Sequence, residues 1–151
     1  MKYLELAETK SLPRVASIQN AYNLVNRGFE IGLSEVAMHE QVGLLAYSPL
    51  AQGTLTGKYL GGQMPQGSRL ALFGDGPLMM RYKGDKTQQA IEMYVNLAKK
   101  YEVDPAQLAI QFCNIQPFVT STIIGATTMK QLKTCIDLSL IHISEPTRRS
   151  M

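Results

Sequence analysis

The sequence predicts an α/β fold built on a small parallel sheet, a piece of a barrel or of a doubly wound sheet. Three observations lead there. Short apolar runs alternate with segments of helical period, and strand–helix alternation implies parallel strands joined by right-handed crossovers. One run, residues 42–47 (VGLLAY), is almost unbroken in apolar character, as suits a strand buried on both faces. Finally, 151 residues suffice for about one domain but not for a complete eight-stranded α/β barrel, which takes roughly 250.

Residues 2–10 read as a helix with Tyr3, Leu4 and Ala7 on one side, broken by Ser11-Leu12-Pro13. Residues 15–19 form a strand-like run and 20–26 a loop. Between Phe29 and Glu40 the apolar positions Phe29, Leu33, Val36 and Ala37 have helical spacing. The strand 42–47 follows. Residues 48–84 then hold eight of the 12 glycines and three of the 7 prolines, and so long a connection is usually functional or mobile. Residues 85–101 are helical, with Ala90, Ile91, Tyr94, Leu97, Ala98 and Tyr101 on one face. Asp104-Pro105 is a helix start, an N-cap acid before a proline at the first helical position, and it turns Leu108, Ala109 and Phe112 to the core. Residues 118–124 are a strand. Gly125 turns it, Thr127 or Thr128 caps, and a last helix begins at Met129. No internal repeat of fixed period is present.

Composition narrows the function. At 45% hydrophobic and 18% charged the chain is of globular type. The net charge is +3, and no basic run exceeds Lys99-Lys100 or Arg148-Arg149, so no nucleic-acid partner is expected. Two cysteines, Cys113 and Cys135, and two histidines, His39 and His142, show no metal-ligand spacing. No apolar run reaches the roughly 18 residues of a membrane span, and the first residues are not a signal peptide. A cytoplasmic protein with reduced thiols is expected.

The last stretch stands apart. Leu138 to Arg148 reads LSLIHISEPTR, and one frame through a transposase adapter used in sequencing libraries translates to the same eleven residues. Residues 138–151 are therefore expected to be a non-native tail, leaving 1–137 as the folded unit. The alternative is a natural C-terminal tail. On either reading His142 carries no chemistry.

Four constellations can carry chemistry. Tyr47-Ser48-Pro49-Leu50-Ala51-Gln52-Gly53 leaves the carboxyl end of an apolar strand, where ligands bind in parallel α/β folds. Tyr47 offers a flat face for a ring, Ser48 and the amides after it offer donors to phosphate oxygens, and Gly53 permits close approach. Residues 123–132 run from strand through Gly125 and Thr127 to a helix start, where free amides and the helix dipole favour a phosphate. Gln131, one turn in, can reach back toward a ligand. Gln19, at the end of the first strand, could pair with a carboxamide, donor to acceptor and acceptor to donor. Lys58 and Arg69 flank the glycine-rich loop as phosphate partners. Each signal alone also fits a simple turn, a capped helix or solvated side chains. Neither a GxGxxG run nor a P-loop lysine is present.

The four occur together and in order. The residues Ile18-Gln19-Asn20-Ala21-Tyr22-Asn23, then LLAYSPLAQGTLTGKY (44–59), DPAQLAIQF (104–112) and TIIGATTMKQL (122–132) give a sequence that resembles the C-terminal half of an aldo-keto reductase. Within that family it looks most like the Tas-type and potassium-channel β-subunit-like branch. The resemblance covers about residues 2–137. It implies part of a (β/α)₈ TIM barrel, about three strand–helix units supplying strands six to eight, and NADP(H) bound at the strand carboxyl ends.

By the resemblance, Gln19 holds the nicotinamide carboxamide and Tyr47 stacks on the ring. Ser48, Pro49, Leu50, Ala51, Gln52 and Gly53 line the pyrophosphate, with Lys58 and Arg69 in the loop over the cofactor. Gly125, Thr127 and Gln131 match the adenosine-phosphate site. One departure is Cys135, where the family usually has an asparagine, which puts one adenine contact in doubt. The family's catalytic Asp, Tyr, Lys and His lie on its first four strands and have no counterpart here. The parent is thus expected to be an NADPH-dependent reductase of small aldehydes and ketones, and this chain an inactive fragment of it that self-associates. The alternative is an NADP-binding regulatory module of channel-β-subunit type.

Overall fold

A computed structural model describes residues 2–74 and 76–137. The expected non-native tail, 138–151, lies outside the described residues. Three strands, β1 (Ser17–Ala21), β2 (Gly43–Tyr47) and β3 (Val119–Ile123), form one sheet in the order β1-β2-β3, parallel throughout. The helices are α1 (Lys2–Thr9), α2 (Leu33–His39), α3 (Arg69–Phe73), α4 (Pro77–Met80), α5 (Asp85–Lys100), α6 (Pro105–Asn114) and α7 (Met129–Ile136). The mixed α/β architecture and the run of major elements are those the sequence predicts, consistent with a partial (β/α)₈ barrel.

Helix ends follow local chemistry. The Asp104 carboxylate accepts from Ala106 N at 2.7 Å with Pro105 behind it, as read from the sequence. Thr128, not Thr127, is the N-cap of α7. The helix expected from Phe29 begins only at Leu33, because Phe29 lies in a separate 3₁₀ turn, Gly28–Glu30, and Gly32 breaks the chain with φ +85°. As a result the buried side carries Phe29, Ser34 and Ala37, while Leu33 and Val36 are exposed. On α5 the buried residues are Ile91, Val95 and Ala98, and Leu97 and Tyr101 turn outward. The 48–84 connection is also more ordered than expected, holding α3, α4 and the 3₁₀ turns Ala51–Thr56 and Leu60–Gly62.

Side chains alternate across a strand, and the register aligns the rows of β1 and β2. Ile18, Leu44 and Ala46 pack with Tyr22, Phe29, Ala37, Phe112, Cys113 and Phe118 under the helices. Tyr22 stacks on Phe112 at 5.5 Å and meets Phe118 edge-on at 5.3 Å. Burying a side chain such as Leu44 completely contributes about 1.5–3 kcal/mol. The opposite row, Gly43, Leu45 and Tyr47, is only half-buried, so β2 is not covered on both faces as its apolar run predicts. A second core gathers Ala51, Leu55, Tyr82, Ile91, Val95 and Ala109 beneath the long connection.

One irregularity sets the β2–β3 register. Leu44 pairs with Val119 but Leu45 pairs with Ser121, so Thr120 is the extra residue of a bulge. Its side chain leans over Gly43, where a Cβ would lie 1.7 Å from Thr120 Oγ1.

Candidate functional site

The site begins where the strands end. Ala21 is paired with Tyr47, and Tyr47 with Ile123, so three strand tips stand side by side at the carboxyl edge. Tyr22 N donates to Tyr47 O at 3.2 Å and carries the ladder one step further. Gln19 lies two residues before Ala21, about 7 Å back along β1, and Gly125 two residues past Ile123. Strand alternation places Gln19 on the same face of the sheet as Tyr47. Gln19 is exposed and Tyr47 half-buried.

The segment after Tyr47 is unusual in its backbone. Ser48, Ala51 and Gln52 have φ of +56°, +48° and +61°, followed by Gly53 at +92°. Left-handed conformation costs an L-residue about 1–2 kcal/mol, so this stretch persists because its surroundings hold it, and such strain clusters at functional sites. Ala51 N donates to Ser48 O at 2.9 Å and Gly53 N to Leu50 O at 2.8 Å. Gln52 Nε2 donates to Ser48 Oγ at 3.1 Å, and Arg69 Nη1 donates to Gln52 Oε1. Four residues singled out in the sequence are thereby tied to one another: Ser48 and Gly53 by the turn, Gln52 and Arg69 by their side chains.

Pro49 and Ala51 are buried, and Leu50, like Ile124, packs against the cluster of Ile110 and Cys135. What these three present to a ligand is backbone. Lys58 approaches Gly53 so closely that a Cβ there would lie 2.9 Å from both Lys58 Cε and Nζ. Its ammonium sits 5.0 Å from the centre of the Tyr59 ring. Lys58 and Arg69 thus bring two positive charges to one turn of backbone.

Gly125, Thr127 and Gln131 form a second cluster at the start of α7, joined to the first through the Ile110–Cys135 cluster, on which both Leu50 and Ile124 pack. Gln131 reaches back as expected, but its Oε1 accepts from Thr127 N at 2.9 Å and Thr127 Oγ1 at 3.0 Å. Its backbone N–H donates to Thr128 Oγ1 at 3.2 Å, a reciprocal cap. The amide nitrogen of Gln131 is what it can offer a ligand. Cys135 is buried, and burial, with Asp104 nearby, pushes its thiol up. A protonated, buried thiol is a poor substitute for an asparagine contact.

Several residues at the site were not singled out in the sequence. Asn23, fully buried, donates from Nδ2 to Ser48 O at 2.9 Å and to Tyr82 Oη at 3.2 Å. Arg81 stands near the Tyr47 and Tyr82 phenols, which hold its guanidinium further into the charged range. Neither carried a local signal: Asn23 reads as a loop residue and Arg81 as one cation among 15. Behind Asn23, Tyr22 Oη donates to Glu30 Oε1 at 2.5 Å and Arg27 forks onto both Glu30 oxygens at 2.7 Å. The Arg27 fork, then the Tyr22 hydroxyl, holds the Glu30 carboxyl below the usual range. Cys113, by contrast, is pushed up to about 12 by burial and is no nucleophile.

Among the described residues, no cluster of His, Cys, Asp and Glu could hold a metal ion, and no helix is long and apolar enough to cross a membrane. A profile of the aldo/keto reductase family matches residues 1–147. The chain belongs to the aldo/keto reductase family. The matched range runs past residue 137 into the segment read as a tail. The chain is 52% identical over 145 residues to Protein tas of Escherichia coli (strain K12), covering 96% of this chain and 41% of that protein. It is 37% identical to an aldo-keto reductase of Babesia bovis over 93% of this chain and 50% of that one. Over 60% of its length it is 42% identical to a probable voltage-gated potassium channel subunit beta of Oryza sativa subsp. japonica, covering 28% of that protein. These relatives support the Tas-like, channel-β-subunit-like branch. The chain spans about two fifths of the length of the Tas protein it matches.

Proposed function

We propose that this chain is the nicotinamide-nucleotide-binding part of a cytoplasmic, NADPH-dependent aldo-keto reductase whose whole form reduces small aldehydes or ketones to alcohols. The observation that carries this reading is the alignment of three strand tips with a left-handed backbone segment and two cations at their edge. The residues fit a dinucleotide along its length. Gln19 can pair with a carboxamide in both senses, and Tyr47 offers a ring face. Lys58 and Arg69 can meet the pyrophosphate charges, and the α7 N-terminus with Gln131 a terminal phosphate. When bound, NADPH supplies the hydride. The chain's own residues orient and enclose it. The proton for the carbonyl oxygen has to come from a general acid, and by the family pattern that acid, with its Asp, Lys and His partners, stands on strands outside this sequence.

Titration of the chain with NADPH, followed by nicotinamide fluorescence, is expected to saturate, while addition of an aldehyde gives no NADPH oxidation. Failure to saturate at millimolar cofactor would overturn the binding assignment, and turnover would overturn the missing-acid argument. The similarity to the rice channel subunit favours a second reading, an NADP-binding regulatory module with little turnover. Carbonyl-dependent NADPH oxidation by the complete gene product decides between them.

A further inference from the structure

We infer that Asn23 is a positioning residue for the pyrophosphate-facing segment, which it fixes by turning the Ser48 carbonyl inward and tying it to the return of the long connection at Tyr82. The inference rests on the cofactor reading above.

Asn23 is polar and fully buried, a placement that costs stability unless every polar atom is matched. Its matches are distributed over three separate parts of the chain. Nδ2 donates to Ser48 O at 2.9 Å, at the exit of β2, and to Tyr82 Oη at 3.2 Å, past α4. Oδ1 accepts from Val25 N at 3.0 Å, within its own turn. That turn is closed by a reciprocal backbone pair, Asn23 N to Asn26 O at 3.1 Å and Asn26 N to Asn23 O at 3.0 Å. The amide therefore projects from a rigid base. A side-chain amide has two donors and an acceptor oxygen, and here all three groups are engaged.

The consequence falls on Ser48. Its carbonyl accepts from both Ala51 N at 2.9 Å and Asn23 Nδ2, which occupies both lone pairs. Tyr47 O, one residue earlier, accepts from Tyr22 N. Two successive carbonyls are thus drawn toward the turn after β1. Ser48 needs such support, since its own φ of +56° is left-handed. A carbonyl free to rotate outward would present negative charge to a phosphate, and Asn23 keeps it turned inward.

The test uses the whole chain with Asn23→Asp, which keeps the side-chain size and the acceptor for Val25 N–H but replaces the donor with a repelling oxygen. Amide hydrogen exchange at Ala51 and Gly53 is expected to accelerate about tenfold, the scale of one buried hydrogen bond. Exchange at Gln131 and within α5 stays within about twofold, and NADPH affinity falls about tenfold. Unchanged exchange at Ala51 and Gly53, uniform acceleration through α5 and α7, or an unchanged NADPH affinity overturns the inference. Should Asn23→Asp fail to fold, Tyr82→Phe removes the second acceptor and keeps the ring; the same selective pattern, about threefold, is expected, and its absence overturns the inference equally. If the unsubstituted chain does not bind NADPH, the cofactor reading fails, and the exchange pattern alone then reports whether Asn23 holds Ser48.

Discussion

Substituting Gly43 with alanine probes the register that brings Tyr47 beside Ile123. A Cβ at Gly43 would lie 1.7 Å from Thr120 Oγ1 and 2.9 Å from Thr120 Cβ. Rotating the threonine removes the first overlap. It leaves the second, because Cβ is fixed to the backbone, so the bulged strand itself has to move. Overpacking of this kind costs about 1–3 kcal/mol, and a backbone shift places Gly43→Ala in the upper part, about 2–3 kcal/mol. For a chain this long the melting temperature should fall by about 4–12 °C. Thermal and urea unfolding of Gly43→Ala, Thr120→Gly and the double variant give the coupling. Thr120→Gly alone loses roughly 0.5–1 kcal/mol to backbone entropy. The double variant should be more stable than the sum of the singles by over about 1 kcal/mol. A Gly43→Ala protein within about 0.5 kcal/mol of the original, or singles that simply add, would refute the packing argument and with it the claim that this contact pins the register.

Three further outcomes follow from the same geometry. Gly53→Ala places a side chain at φ +92° and pushes on the tip of Lys58; because that tip is flexible, about 1–2 kcal/mol of stability is lost to backbone strain alone, and calorimetric NADPH affinity falls as well, whereas affinity unchanged by the substitution removes Gly53 from the site. Glu30 has its folded pKa lowered by Arg27 and Tyr22, so its contribution is present above the unfolded carboxylate value of about 4.3 and is lost as pH falls through the folded value. Between pH 6 and pH 3 the melting temperature of Glu30→Gln should therefore drop less than that of the original chain, and an equal drop contradicts the assignment. The half-covered row Gly43, Leu45 and Tyr47 and the outer edges of β1 and β3, unpaired among the described residues, favour association between copies; light scattering is expected to show dimers or larger species, and a monodisperse monomer argues otherwise.

The parts of the fold that could be read in the sequence are those set by local chemistry. Asp104-Pro105 starts α6 because the acid caps and the proline has no N–H to waste. Strand 42–47 is apolar enough to announce itself. The helix faces were harder. On α2 and α5 the periodic stripe ran past the residues that pack, since Gly32 resets the phase of one and Val95, not Leu97, meets the second core in the other. Beyond the strands, the turn at Tyr47, Ser48 and Gly53 is legible because a strand end followed by glycine is a local pattern. Asn23, Arg81 and Tyr82 were not, because they act on residues 25 to 59 positions away, and only folding brings those segments together.

On the proposed reading, the tips of β1, β2 and β3 form one cradle for a nicotinamide nucleotide. Amide hydrogen exchange of the whole chain, with and without saturating NADPH, tests it most directly. Slowed exchange is predicted together at 19–22, 47–53 and 125–131, with α1 unaffected. Binding that leaves any of those three segments unprotected, or that protects the opposite ends of the strands near Ser17, Gly43 and Val119, would contradict it.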